Sequence, residues 1–264
     1  MNEHPVLIAG GGPVGAIAAL ALARQGIAVR VFEADVAIDE SPRAATTHPA
    51  TLEMLADLGL IDDLIARGLV ARTFQFWDRP SGRLIAEFDH AVLARDTPYP
   101  FVVQCEQHKL VDLAIQRLSG LPNARYDFAT QVTEVEAGAD AVEITVRHGD
   151  RIERMTGSYL IGADGGRSTV RKALGIAFDG YTFPERFLVL TTPSTSRRNA
   201  AAAFAHISPT RTNGRTYSRS PATMGVGSGA WCFRRCRAIP MKRSSTRLRC
   251  SSVCRSFFPN RGAI

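Results

Sequence analysis

Acidic residues are missing from the last 74 positions of this 264-residue chain: Thr191 to Ile264 contain fourteen Lys or Arg and no Asp or Glu. All 25 acids lie before residue 191, where they outnumber the bases, so the formal net charge of +7 describes neither part. The overall charge therefore gives no argument for a nucleic-acid or membrane-surface partner. Cysteine is as unevenly spread. The first 190 residues hold Cys105 alone, while Cys232, Cys236, Cys250 and Cys254 crowd the remainder. One thiol excludes a disulfide framework for the first part and fits a reducing compartment. The longest apolar stretch, around Ala16 to Ala23, is too short to cross a bilayer. The N-terminal "MNEHPVLIAGGG" lacks the basic and apolar regions of a signal peptide. A soluble, cytoplasmic protein with no integral membrane segment is expected. Metal-ligand spacing is also missing around His48 and His108, which predicts surface or packing roles for both and no metal site.

With 45% apolar residues the chain is long enough to bury a core. Its first forty residues are the most informative. "VLIAGGGPVGAIAALALARQGIAVRVFEAD" reads as strand, tight turn, helix and parallel strand, with Pro13 in the first helical turn and Gly26 at the helix stop. Gly10, Gly12 and Gly15 have the G-x-G-x-x-G spacing: a tight turn, room for backbone to approach a pyrophosphate, and close packing of helix on strand. Glu33 closes the second strand 18 residues after Gly15, where a carboxylate can accept hydrogen bonds from a ribose. This pattern predicts a site for an ADP moiety and does not distinguish FAD from NAD.

A second motif, "YLIGADGGRSTVRKALGI" at residues 159–176, reads as strand, turn and short helix. Its core "GADGGRSTVRKALG" resembles the second fingerprint of the FAD-dependent aromatic hydroxylases, the flavoprotein monooxygenases related to para-hydroxybenzoate hydroxylase. The resemblance implies that Gly162, Asp164, Gly165 and Arg171 lie by the FAD pyrophosphate and ribose. In "SPRAATTHPATLEML", residues 41–55, the position matching the family's flavin-side arginine is Arg43. "QCEQHKLVDLAIQRL", residues 104–118, carries Leu110, Leu113, Ala114 and Leu118 on one helical face. The resemblance implies that a glutamine opening this helix reaches the FAD diphosphate; Gln107 takes that place, with Gln104 as its rival. Segments 72–90 and 125–156 alternate apolar and polar residues and predict antiparallel strands, the second a meander attached to the nucleotide domain.

The implied fold is α/β: a Rossmann-like FAD-binding domain over residues 1–190, with a parallel sheet, a β meander and the start of a substrate-domain sheet. The implied activity is hydroxylation of a small, phenol-like aromatic substrate, with FAD as cofactor, NADPH or NADH as co-substrate and O2 as oxidant. The cofactor carries the hard step, so no Ser-His-Asp or Cys-His set is required. Two alternatives are an FAD-dependent reductase of isoprenoid double bonds and a non-catalytic nucleotide-binding protein. The resemblance stops near residue 190. Relatives continue to a Gly-Asp motif whose aspartate holds the ribityl chain, and no such stretch follows here, so a truncated chain with weak or absent FAD retention is expected.

Residues 191–264 have three readings. A basic arm for nucleic acid would need regular aromatic interleaving, which is missing, and no nucleic-acid partner is expected. A zinc site could use Cys232-x3-Cys236 and Cys250-x3-Cys254, but no turn glycines support the knuckles. The third reading is translation out of frame. At the acid frequency of the first 190 residues, about ten acids would be expected where there are none, and off-frame GC-rich codons give such an Arg/Ser/Pro/Cys excess. Codons built from the third base of each triplet and the first two of the next permit "YPDEWP" across Pro209 to Arg215 and "VLPPLPGDPDEA" across Trp231 to Arg243, which restores the acids. A disordered tail is therefore expected. Resequencing the gene from the codon for Leu188 past the stop tests this reading. A base gained or lost near Pro193, with the restored frame running on to a Gly-Asp motif, is the expected result; an intact frame with a genuine stop would refute it.

Overall fold

Alternation along two short apolar strands organises the core. The computed structural model describes residues 4–41, 43–78 and 83–182, of which 77 and 78 by backbone only, together with the backbone of 186–192, 208–210, 215–219 and 230–236. The first strand, β1 (Val6–Ala9), runs into α1 (Pro13–Arg24) and then β2 (Val29–Phe32). Pro13 opens the helix, and Gly26 follows its end with φ +81°, a conformation that costs a glycine little. Next come β3 (Thr46–Thr47), α2 (Pro49–Asp57), α3 (Ile61–Arg67), β4 (Leu69–Ala71), the hairpin β5 (Thr73–Asp78) and β6 (Arg83–Asp89), β7 (Val102–Gln104) and α4 (Gln107–Ser119). The chain continues through β8 (Ala124–Asp127), β9 (Gln131–Ala137), β10 (Val142–His148), β11 (Arg151–Gly157), β12 (Tyr159–Gly162) and α5 (Thr169–Ala173).

The central sheet has the order β12-β1-β2-β8, and every pairing in it is parallel. Its register sets Gly162, Ala9, Phe32 and Asp127 side by side, so the four strands end level. Side chains alternate across a strand. Val6, Ile8, Val29 and Val31 therefore face one way, into a cluster with Ala16, Ala19 and Leu20 of α1, Leu52, Leu55 and Leu64 of α2 and α3, and Leu113, Ala114 and Leu118 of α4. Leu7, Ala9 and Phe32 face the other way, against Val132, Ile144 and Val146 of the antiparallel β11-β10-β9 meander and Val170 of α5. Each fully buried Leu in these layers contributes about 1.5–3 kcal/mol.

The α/β architecture with a parallel sheet and an attached meander agrees with the sequence, except that Arg125–Asp127 belongs to β8. This segment pairs parallel with β2 and joins the central sheet, and the meander begins only at Gln131. Arg30 fixes the pairing through a 2.6 Å ion pair with Asp127. Beyond α5, β13 (Arg186–Thr192), β14 (Ser208–Thr210), β15 (Arg215–Arg219) and β16 (Ala230–Cys236) form an antiparallel sheet in the order β13-β16-β15-β14. Of the tail expected to be disordered, the described residues include β14, β15, β16 and the last two positions of β13. The remainder of that expectation falls outside the described residues, as do the cysteine side chains of the zinc reading.

Candidate functional site

Three adjacent strand ends deliver the sequence-predicted residues to one edge. β1 leads into Gly10, Gly11 and Gly12, β2 into Glu33, and β12 ends at Gly162, before Ala163 and Asp164. Because β12, β1 and β2 are parallel neighbours that end level, these turns meet beyond the carboxyl edge, where open parallel sheets bind ligands.

The glycines divide the work. Gly10 has φ +94°, and a Cβ there would fall against the Ala163 carbonyl and 2.7 Å from the Asp164 nitrogen. The Ala163 N–H donates to the Ala9 carbonyl at 2.7 Å, so Gly10 is the contact between the two motifs. A Cβ on Gly15 would fall on the Gly10 carbonyl, which makes Gly15 the helix-on-strand contact. Gly12 differs from both: its φ is an ordinary −62°, and a Cβ on it would meet nothing within 4 Å. No side chain caps α1, and among the described residues the N–H groups of Gly12, Val14 and Gly15 meet no acceptor. The space at Gly12 is open, with the positive end of the helix dipole behind it, an arrangement suited to an anion.

Two carboxylates flank this donor cluster. Glu33 Oε2 accepts the Gly11 N–H at 2.7 Å and Oε1 accepts the Asp35 N–H at 2.9 Å. Each oxygen keeps a lone pair for a further donor. Asp164 Oδ2 accepts from Thr169 N at 2.6 Å and Val170 N at 3.3 Å, while Ser168 Oγ accepts Arg171 N at 2.9 Å. Together they cap α5. Asp164 Oδ1 is buried and has no hydrogen-bond partner. Leaving such an acceptor unsatisfied costs about 1–3 kcal/mol. An orphaned acceptor next to Gly10, beside an open row of N–H donors, fits a ligand that carries both a phosphate and sugar hydroxyls, as FAD does.

The other sequence-predicted residues are placed as follows. Gln107 is the first residue of α4. Both α1 and α4 lead into parallel strands, so their N-termini lie at the same sheet edge, and Gln107 is on the side of Gly12. Its rival Gln104 lies in β7 with its amide bonded to the Thr46 hydroxyl. Arg43 is exposed and holds Asp39 at 2.6 Å. Hydrogen bonds from the Ser41 side chain and backbone, and then Arg43, hold the Asp39 carboxyl down at about 2. Gly165, with φ +73°, shapes the second turn. Arg171 donates to the Gly166 carbonyl at 2.9 Å and lies over the Phe178 ring at 4.7 Å. His48 is exposed at the start of α2 and His108 half-buried in α4. Burial pushes the Cys105 thiol up to about 11, which keeps it protonated and suits packing over chemistry. A concavity of about 590 Å³ lies elsewhere, between the β9–β10 turn, the start of β12 and α5.

Sequence reasoning missed Gly11 and Tyr126. A Cβ on Gly11 would fall on the Tyr126 hydroxyl, which donates to the Gly11 carbonyl across 115 positions of chain. The extra glycine in "GGG" was the available signal for the first. No local pattern announces the second.

The glycine roles separate experimentally. Gly15→Ala forces a methyl into backbone and is expected to cost about 1–3 kcal/mol or more. Gly12→Ala is expected to cost under about 1 kcal/mol, because its space is open. Thermal unfolding followed by circular dichroism measures both, and an equal loss in the two variants would contradict this division.

Comparisons with known proteins give the family. Residues 3–241 match the FAD binding domain family. Para-nitrophenol 4-monooxygenase of Pseudomonas sp. strain WBC-3 is 36% identical over 183 residues, covering 69% of this chain and 45% of that protein. The 6-hydroxy-3-succinoylpyridine 3-monooxygenase of Pseudomonas putida strain DSM 28022 / S16 is 35% identical over 191 residues, covering 72% of this chain and 48% of that protein. The crystal structure of p-nitrophenol 4-monooxygenase from Pseudomonas putida superposes with a TM-score of 0.80 at 28% identity, covering 96% of this chain and 61% of that one. The chain thus spans about half the length of the curated relatives it matches. No helix among the described residues is long and apolar enough to cross a membrane. With its two motifs packed against each other at Gly10 and its matched length reaching from residue 3 to residue 241, the chain belongs to the FAD binding domain family.

Proposed function

We propose that this chain is the FAD-binding portion of a flavin-dependent monooxygenase that hydroxylates a small, phenol-like aromatic substrate in the cytoplasm. The observation that carries this reading is the buried, unpartnered Asp164 Oδ1 beside the open donors of α1. The names of the relatives, which include pentachlorophenol 4-monooxygenase of Sphingobium chlorophenolicum, support the substrate class.

When bound, FAD would supply the redox chemistry, taking a hydride from NADPH or NADH and passing one atom of O2 to the ring while the other leaves as water. This chain's residues bind and orient. The N–H groups of Gly12, Val14 and Gly15, with the α1 dipole behind them, hold the diphosphate. Gly10 keeps the two turns close enough to act on one ligand. Glu33 accepts from a ribose hydroxyl while its bonds to Gly11 and Asp35 keep the carboxylate in place. Asp164 gives Oδ1 to a second sugar hydroxyl and keeps Oδ2 on α5. Gln107 borders the diphosphate from α4, and Arg43 borders the flavin side from the loop that Asp39 anchors. Gly162 and Gly165 shape the second turn, and Arg171 braces it through Gly166. No general acid or base is required of them. In the same reading, residues from about 191 onward are out-of-frame translation, supported by their lack of acids.

Asp164→Asn tests the assignment. The amide oxygen can still cap α5, while the free acceptor is replaced by a donor. Hydrogen bonds to charged groups are worth about 1.5–3 kcal/mol, so FAD affinity, titrated by quenching of flavin fluorescence, should fall by about tenfold to a hundredfold with the melting temperature kept. Unchanged affinity would remove Asp164 from the site.

A further inference from the structure

We propose that Tyr126 is a positioning residue for the diphosphate site, acting through the Gly11–Gly12 peptide. This rests on the reading of the α1 N-terminus as that site. Tyr126 lies on β8, the edge strand beside β2, and reaches across β2 to the β1–α1 turn. Its hydroxyl donates to the Gly11 carbonyl and occupies the space that a side chain at residue 11 would need. On the preceding peptide, the Gly11 N–H is held by Glu33 Oε2 at 2.7 Å. Gly11 is therefore restrained at both its N–H and its C=O.

A consequence follows for Gly12. The described backbone has no cis peptide, and in a trans peptide the C=O and the following N–H point in opposite directions. Tethering the Gly11 carbonyl towards β8 aims the Gly12 N–H the other way. That N–H meets no acceptor among the described residues, and the space at Gly12 is open. A glycine pair would otherwise rotate freely at this point. The tyrosine thus fixes in advance a donor that the diphosphate needs, which lowers the ordering cost of binding. Three further features keep the hydroxyl in place as a donor. The Tyr126 ring packs on Phe128 with centroids 4.8 Å apart. The loop after β8 is tied to the segment after β2 by Ala129 N–H to Asp35 O at 2.9 Å and Thr130 N–H to Glu33 O at 2.8 Å. Burial, with the Glu33 carboxylate nearby, raises the phenol above its ordinary range, so it stays protonated.

The test uses the full chain and Tyr126→Phe, with ADP and adenosine as probes. A lost hydrogen bond of ordinary strength corresponds to about a three- to tenfold change. ADP affinity should fall by up to that factor in calorimetric titration while adenosine affinity stays unchanged. A purely structural role would weaken both probes together, and that result, or no change in either, overturns the proposal. A second readout needs no ligand: the ¹⁵N order parameter of Gly12 should drop from about 0.85 towards about 0.6 in Tyr126→Phe, and an unchanged value refutes the restraint. A third needs no variant. In the unmodified chain the Tyr126 hydroxyl proton should exchange slowly and show a nuclear Overhauser effect to the Gly11 α-protons; its absence refutes the hydrogen bond even if Tyr126→Phe fails to fold. Failure of the unmodified chain to bind ADP would instead count against the diphosphate reading, and the Gly12 order parameter would still decide the role of Tyr126.

Discussion

The contact between Gly10 and Ala163 is the constraint on which the site depends. Strands β1 and β12 are more than 150 positions apart in sequence, yet the sheet places them side by side and level. The Ala163 N–H closes on the Ala9 carbonyl at 2.7 Å, and the missing Cβ of Gly10 lets the second turn lie against the first. Without that approach, the donors at the start of α1 and the Asp164 carboxylate would belong to separate turns. With it, they face one ligand. The layers beneath serve this contact: α1 and α4 pack on one face of the sheet, the meander and Val170 on the other, and the four strand ends stay in register.

The site is stable because most of its polar groups are already satisfied by the protein. Glu33 holds Gly11 and Asp35, Asp164 and Ser168 cap α5, and Tyr126 holds the Gly11 carbonyl. Two features are left over, the free N–H groups of α1 and Asp164 Oδ1. They carry opposite demands, one for an anion and one for a hydroxyl donor. A dinucleotide meets both. Arg43 and Arg171 are instead engaged by Asp39, and by Gly166 and the Phe178 ring, so in this state they support loops.

Features encoded by local spacing were legible in the sequence. The three motif glycines, Glu33, Pro13 and the Asp164 turn follow from short-range geometry that only certain residues satisfy, and the amphipathic face of α4 follows from its period. Relations between distant segments were not legible. Arg125–Asp127 alternates like the meander it precedes, and only its pairing with β2 assigns it to the parallel sheet. Tyr126 bears no mark of its bond to Gly11, because a sheet edge brings them together. Asp164 was readable as a turn residue, but its division into one capping oxygen and one free oxygen depends on where α5 begins. The tail strands Ser208–Thr210, Arg215–Arg219 and Ala230–Cys236 lie in a stretch whose composition pointed to disorder.

The most direct measurement is a crystal structure of this chain grown with FAD at saturating concentration. The account predicts the diphosphate over the Gly12 N–H at the start of α1 and a sugar hydroxyl on Asp164 Oδ1. FAD bound elsewhere, for example in the concavity between the β9–β10 turn and α5, with the N–H groups of α1 still facing solvent, would contradict it.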